Sequence, residues 1–418
     1  MDSEKIVVVG GGISGLYFQY KILKSKKNKQ VLLIEKSEQV GGRIFTFKTK
    51  IGNINHSIEA GAGRFSSNHK LLIKLITEFN LQKKIIEIPS SVTFAPRKKK
   101  WKNNPICQKL PYYYLDIVLK KNKLTQNMRN ITFNLWLNKN ASTEIYQYIK
   151  DAYPYKDIFK LNAYDAIKLY EKDLNINNKF FVLAGGLQQL IDALKKKILE
   201  LGGRIMVNTE CKSIKELSNN QFLLSTNKQN IKCSYLVLAI QQPHLKKISY
   251  LKPIFPLIDS VTTAPLLRVY FFFDTSEGPV WFQNIGKTIT DSRISFFIPI
   301  NPQQGSVMIS YTDENNAKFM IKLQQKDPDQ FVNFILQECQ HIFNISNIPK
   351  PIWWKTFYWE HGVGDWKPGY HSQQISQKIT KPFSSKNLYI CNENYSANYQ
   401  CWIEGSLEMA EKCIKKVI

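Results

Sequence analysis

Three groups near the amino terminus have residue types and spacing that carry chemistry: Gly10-Gly11-Gly12-Ile13-Ser14-Gly15, Glu35 and Gly41-Gly42-Arg43. The first run fits G-x-G-x-x-G. Its first glycine permits a tight turn. The second removes a side chain where a pyrophosphate approaches backbone N–H groups, and the third lets a helix pack on a strand. The helix that opens there turns its partial positive charge toward the phosphates. Glu35 ends the next apolar run, about 20 residues on, where an acid accepts hydrogen bonds from ribose hydroxyls and repels a 2′-phosphate. Gly41 and Gly42 let a second loop lie against the same dinucleotide. Arg43 can add a charge-assisted contact to its pyrophosphate, an element that a nicotinamide enzyme does not need.

The elements that must position these groups can be read from the apolar pattern. Ile6-Val7-Val8-Val9 is a buried parallel-type strand. Gly15 to about Lys26 reads as a helix and Val31–Glu35 as the next strand, which makes one βαβ unit. Residues 69–88 carry helical periodicity, and 108–178, rich in Tyr, Asn and Lys, read as short helices. A new pattern starts at Phe180–Gly186 and continues as a helix from Leu187 to Leu201. Strands follow near Arg204–Val207, Phe222–Ser225 and Tyr235–Ile240, then at Leu267–Phe273, Ile294–Ile298 and Ser306–Tyr311. A helix covers Asp329–Phe343. The last segment reads as strand Leu388–Cys391, a loop, and helix Trp402–Lys416. No internal repeat and no low-complexity linker interrupts this order, so one nucleotide-binding domain is expected to be assembled from three separated stretches.

A length of 418 residues predicts about two or three domains. No stretch reaches the roughly 18 apolar residues of a membrane span. Met1–Lys5 lead directly into a strand, from which no signal peptide is expected. The seven cysteines form no C-x-x-C pair and the six histidines are dispersed, which predicts reduced thiols, a cytoplasm-like compartment and no metal site. The net charge of +25 suits nucleic acid, acidic membranes or anionic small molecules. Lys, Asn and Ile are abundant together, however, as AT-rich coding sequence produces. The densest basic run, Arg97-Lys98-Lys99-Lys100-Trp101-Lys102, reads as a solvated loop between periodic segments.

The stretch from Val7 to Arg43 resembles the paired dinucleotide signatures of the flavin-dependent amine oxidase superfamily, which includes monoamine, polyamine and L-amino-acid oxidases. Further matches run along most of the chain. "VLAGGLQQLIDAL" resembles the family's return into the FAD domain, and "RIMVNTECKSI" the strand whose backbone meets adenine, with Cys211 where valine is usual. "LYICNENYSANYQCWIEGSLE" resembles the closing motif. The resemblance implies an α/β fold: a discontinuous Rossmann-like FAD-binding domain of the GR2 type (1–65, 180–257, 384–418), a mixed-sheet substrate-binding domain (66–90, 258–383) and a helical insertion (91–179). It implies FAD contacts at Gly10, Gly12, Ile13, Ser14 and Gly15, at Glu35 and Lys36, at Gly42 and Arg43, and at Gly61-Ala62-Gly63-Arg64. Further contacts are implied at Cys211, at Glu393 on the ribityl chain, and at Trp402 and Ile403, where the closing helix aims N–H groups at the flavin. Asn392 and Cys401 depart from the family's glycines before Glu393 and Trp402, and both put the loop geometry in question. Residues 355–385 hold no cysteine, which predicts non-covalent FAD, and the chain's stop at Ile418 predicts no tail anchor.

For the substrate, Gly61–Arg64 resembles the Gly-Pro-Met-Arg stretch of L-amino-acid oxidases, whose arginine holds the substrate carboxylate. Tyr311 falls on the partner tyrosine. An arginine fork plus a phenol is a sound carboxylate clamp. Arg64 can equally pair with Glu59 or touch phosphate, and Tyr311 can be a packed strand residue. Trp402 matches the aromatic wall of the substrate site. Arg268 stands where the family carries a lysine that holds water near the flavin. It keeps the charge but cannot lose its proton, so it can support an oxidase, leave a dehydrogenase, or be an outward-facing cation. The aromatic run at Trp353, Trp354, Phe357, Tyr358 and Trp359 can line the pocket or stabilise the smaller domain. The expected reaction is hydride transfer from an amine or L-amino acid to the flavin, giving an imine, with O₂ reduced to H₂O₂. A polyamine or monoamine oxidase is a close variant. An isomerase like UDP-galactopyranose mutase, or a non-catalytic flavoprotein that binds a polyanion such as nucleic acid, represents other classes.

Overall fold

The computed structural model describes residues 5–25, 30–175 and 178–417; Met1–Glu4 and Lys26, on which two of the expectations above rest, lie outside them. The chain forms two compact units, one of Met1–Ile88, Lys179–Thr263 and Gly364–Ile418, the other of Pro89–Asn178 and Ala264–Val363. These boundaries are drawn by packing and differ from those of the functional domains anticipated above.

The first unit is built on a five-stranded, all-parallel sheet. Its strands run in the order Leu388–Ile390, Tyr235–Leu238, Lys5–Val9, Gln30–Ile34, Arg204–Met206. Ile6 to Val9 are buried, as a central parallel strand covered on both faces requires. Helices Ile13–Lys24, Gln188–Glu200 and Ile403–Val417 share its core through Leu16, Phe18, Leu190, Leu194, Leu407 and Ala410. Three stretches hundreds of residues apart thus make one sheet, as expected. The helical reading of 69–88 needs correction. The helix covers only Lys70–Glu78, Asn80 turns into the left-handed region at φ +59°, and Ile85–Ile88 is a strand paired with Phe180–Leu183. A left-handed Asn after the last turn stops a helix, and the β-branched isoleucines that follow suit a pleated strand.

The second unit centres on a six-stranded sheet in the order Trp353–Trp366, Val261–Phe272, Ser306–Asp313, Phe296–Asn301, Thr288–Ile289, Thr93–Phe94. Helices Glu314–Lys326 and Pro328–Phe343 cover one side through Phe331, Ile335 and Cys339, which meet Leu267, Val269 and Ile309. Trp354 joins this packing against Phe331, and Trp353 lies against Phe272, so these two rings brace the unit. Short helices Pro111–Lys121, Phe133–Asn140, Thr143–Ala152 and Ala163–Leu169 form a second core with Ile289 and Phe296. Thr132, Ser142 and Asn162 cap the last three of these helices. The lysines of the basic run, Lys98, Lys99, Lys100 and Lys102, are exposed as expected, but the run is anchored. Trp101 is buried and donates to Asp151 at 3.0 Å, Lys98 and Lys100 both pair with Asp151 at 2.7 Å, and Arg97 pairs with Glu338. A run of like charges is held down here because carboxylates from distant segments are gathered against it. Burial raises the Asp151 carboxyl, but Lys100, Lys98 and the Trp101 N–H outweigh it and hold it below the usual value.

All seven cysteines are free thiols. Among the described residues no helix is long and apolar enough to cross a membrane.

Candidate active site

The glycine turn is shaped by close approach. Gly10 has φ +110°, and a Cβ there would meet the Ala239 carbonyl oxygen at 2.5 Å; one on Gly15 would meet the Gly10 oxygen at 2.1 Å. A Cβ on Gly12, by contrast, would meet no protein atom within 4 Å. Gly12 therefore fronts open space at the amino terminus of helix Ile13–Lys24, a cradle of the kind a pyrophosphate enters. The second loop closes on it: Gly41 N–H donates to the Gly11 oxygen at 2.8 Å, and Gly42, at φ +59°, would bring a Cβ against only Gly12.

Glu35 is fixed at the end of its strand. One carboxylate oxygen accepts the Gly11 N–H at 2.6 Å and the other the Ser37 N–H at 2.9 Å. The Thr209 N–H meets the Glu35 carbonyl at 2.7 Å, which brings the segment leading to Cys211 alongside. Lys36 is exposed, with its ammonium 3.5 Å from His244 Nε2. Ile13 packs in the core. The Ser14 hydroxyl faces the closing segment, with the Cys391 and Ser406 carbonyls at 2.7 and 3.1 Å. Its side chain thus serves the fold, and only its backbone faces the turn.

Arg43 and Glu393, both expected at the cofactor, meet each other. The guanidinium binds the carboxylate through both nitrogens, with Nη1 to Oε1 at 2.9 Å, and Asn394 donates to the same oxygen at 2.9 Å. Burial lowers the Arg43 pKa and Glu393 more than offsets it, so the guanidinium is driven further toward its charged form. The two departures in the closing motif are accommodated differently. Asn392 is extended at φ −151°, a conformation open to any residue. Its amide donates to the Ile240 oxygen at 2.6 Å and its oxygen accepts the Asn394 N–H. Cys401 lies at φ +70°, in the left-handed region that favours glycine, and its thiol lies 3.2 Å from the Gly364 oxygen.

Gly61–Arg64 is tied to the second signature by Ala62 N–H to the Arg43 oxygen at 2.9 Å. Arg64 then lies over the Phe180 ring at 4.4 Å and near the Trp402 ring at 5.7 Å, and those two rings stack at 6.0 Å. The Glu59 carboxylate accepts the Leu187 N–H at 2.7 Å and the Thr46 hydroxyl at 2.9 Å. His69, fully buried, accepts the Ser66 N–H at 3.1 Å through Nδ1 and sets its ring 4.8 Å from that of Trp402. The Trp402 Nε1–H is buried and finds no acceptor among the described residues, an orphan of the kind a bound group satisfies. Ile403 opens the closing helix, whose Glu404 accepts the Leu71 and Leu72 N–H groups at 2.8 and 2.9 Å. Burial raises the Glu404 carboxyl, and those two amides only partly oppose it.

The second unit holds Arg268 and Tyr311. They are ladder partners on adjacent strands, with the guanidinium 5.0 Å from the Tyr311 ring, which also stacks on Phe296. Arg268 is 8 % exposed, which excludes the outward-facing reading. Sequence reasoning missed His69, Phe180 and Phe296 as neighbours of these groups. Phe180 had a signal, since it precedes the second glycine pair; the other two had none.

A glycine cradle with an unfilled face, a ribose-type acid and a buried indole without an acceptor fit a dinucleotide carried by a Rossmann-type domain. This is the architecture of a dinucleotide-binding protein, and the comparisons narrow it. The profile of the flavin containing amine oxidoreductases matches residues 132–413, and that of an NAD(P)-binding Rossmann-like domain matches 8–79. The chain is 23% identical to an L-amino-acid oxidase of Crotalus adamanteus, over 97% of this chain and 85% of that protein. It is 22% identical to achacin of Lissachatina fulica, over 99% and 93%. Among solved structures it resembles putrescine oxidase bound to putrescine (TM-score 0.78, 14% identity, 99% of both chains). It also resembles a putative protoporphyrinogen oxidase of Exiguobacterium sp. 255-15 (TM-score 0.74, 16% identity, 100% and 99%). The chain belongs to the flavin amine oxidase family: it is an FAD-dependent oxidoreductase. That family acts on small amines or amino acids with O₂.

Proposed function

We propose that the protein oxidises an L-amino acid, with FAD held non-covalently. The observation that carries this reading is the setting of Arg64. Its guanidinium carbon lies 4.4 Å from the Phe180 ring centroid and 5.7 Å from that of Trp402, contacts that narrow its range of positions, and a guanidinium so held binds a carboxylate in a two-pronged fashion. In this reading Arg64 and Tyr311 hold the substrate carboxylate and Trp402 walls the site. A carboxylate fixed in this way sets the direction of the α-carbon hydrogen, and orientation of this kind removes a large part of a barrier.

Bound FAD supplies the electron acceptor for the amine. The backbone of Gly10–Gly15, with Gly42, would cradle its pyrophosphate, and Glu35 with the Cys211 segment would receive the adenosine end. Arg43 and Glu393 would act together: Glu393 holds the guanidinium in place for a pyrophosphate and would offer its carboxylate to the ribityl hydroxyls. The amine reacts in its neutral form, so the site's work is to exclude water and hold position rather than to present a strong base. Arg268 keeps a fixed positive charge where the family carries lysine. A dehydrogenase, slow with O₂, is the second reading, and this substitution is what favours it.

The test is anaerobic addition of L-amino acids, monoamines and polyamines to the purified holoprotein, followed by air. Bleaching of the flavin by amino acids, with recovery of colour and H₂O₂ in air, is expected. Bleaching only by amines that lack a carboxylate overturns the assignment of Arg64. Bleaching by amino acids without rapid recovery in air selects the dehydrogenase.

A further inference from the structure

The helical stretch of the second unit contains a short turn, Tyr153-Pro154-Tyr155-Lys156-Asp157, with more anchoring than its own packing requires. The Lys156 and Asp157 N–H groups both point at one oxygen of Asp313, at 2.8 and 3.3 Å. Asp313 is 2 % exposed. The Lys156 ammonium reaches back to the carbonyls of Lys150, Asp151 and Tyr153 at 2.9, 2.9 and 2.6 Å, which closes the end of helix Thr143–Ala152. Tyr153 is fully buried beside Tyr112 and Tyr170. The turn is therefore pinned at three of its five residues.

What the anchoring presents is Tyr155. Its ring meets Tyr311 edge-on at 6.2 Å and Phe296 at 5.4 Å, while Phe296 stacks on Tyr311 at 5.8 Å. Residues i and i+2 of a strand point to the same face. One strand face thus carries both Asp313, which anchors the turn, and Tyr311, which receives the ring the turn displays. Arg268, the ladder partner of Tyr311, lies on that face as well.

We propose that Tyr155 is a positioning residue that braces the Tyr311 ring, so that the phenol oxygen is held where a substrate carboxylate binds. This rests on the amino-acid reading above, in which Tyr311 contacts the carboxylate. Tyr155 touches no reacting atom; it acts through Tyr311, with Asp313 as its anchor. A phenol hydroxyl sits at the end of a long lever with two rotatable bonds, so a small loss of ring restraint displaces the oxygen and weakens a directional bond.

The test compares anaerobic flavin reduction by an L-amino acid in wild type, Tyr311→Phe, Tyr155→Ala, Tyr155→Leu and Tyr155→Phe. The substrate concentration for half-saturation is separated from the limiting reduction rate in each. Tyr155→Ala and Tyr155→Leu are expected to raise the half-saturating concentration by about three- to tenfold, with the limiting rate nearly unchanged. Tyr155→Phe, which keeps the ring, should stay within about twofold of wild type. Leucine keeps the bulk, so it gives the same reading if the alanine variant does not fold. If Tyr311→Phe raises the half-saturating concentration while Tyr155→Ala and Tyr155→Leu leave it unchanged, the proposal is overturned. If Tyr311→Phe itself has no effect, the carboxylate role of Tyr311 has failed, and the bracing role falls with it.

Discussion

Arg64 shows how much of a residue's role is set by what lies against it. A guanidinium on an exposed loop samples many orientations; Phe180 and Trp402 leave this one few. Arg64→Leu is expected to lower the efficiency of amino-acid oxidation by about a hundredfold or more while the flavin stays bound; steady-state kinetics with an absorbance spectrum checks both halves. Cys401 makes the complementary point about backbone. It sits at φ +70°, where its family counterpart is glycine. A β-branched residue is accommodated there less well than cysteine, so Cys401→Val should melt lower than wild type by calorimetry. Asn392, also in place of a glycine, carries no such cost because its backbone is extended.

Single acids decide how elements are joined. Glu404, in the first turn of the closing helix, accepts the two N–H groups that open helix Lys70–Glu78. A carboxylate at a helix amino terminus satisfies orphan donors and the helix dipole together. Glu404→Ala is expected to cost about 1–2 kcal/mol, read as a lower denaturation midpoint. Asp151 joins the basic run to helix Thr143–Ala152. Its folded pKa is depressed, so the folded state binds its proton less readily than the unfolded chain does. The stability it contributes is therefore full above the unfolded value, near about 3.9, and is lost as pH falls through the lower folded value. Asp151→Asn should be less stable than wild type at neutral pH, and the gap should close through that acidic window in pH-dependent melts. The bounds of helices Ile13–Lys24, Gln188–Glu200, Pro328–Phe343 and Ile403–Val417 were legible in the sequence to within about two residues, since apolar spacing is a local signal, whereas helix Glu314–Lys326 was not read. Ile85–Ile88 was not, because so short a stretch becomes a strand only when a partner such as Phe180–Leu183 lies beside it.

Across the molecule the proposed FAD site draws on three stretches of chain, so on this reading cofactor and fold are linked. Excess FAD at about a hundred times its dissociation constant should stabilise the apoprotein by about 2.7 kcal/mol, seen as a rise in melting temperature that follows FAD concentration. An apoprotein whose melting ignores FAD would contradict this assembly. The charge of +25 is spread over both units, and part of it is spent internally: Arg97, Lys98 and Lys100 all face carboxylates.

The sequence by itself determined the dinucleotide turn, its acid, the second glycine loop and the return of the chain into one sheet. These are demands of local backbone: a glycine where a Cβ would strike a carbonyl, an apolar run where a strand is buried on both faces. Only the tertiary structure decided that Arg43 meets Glu393 across 350 residues, that Arg64 lies on rings from two other segments, and that Arg268 faces inward against Tyr311. The direction of a side chain depends on strand register and on which distant surface arrives to cover it, and a one-residue shift in register would have turned each strand residue to the opposite face.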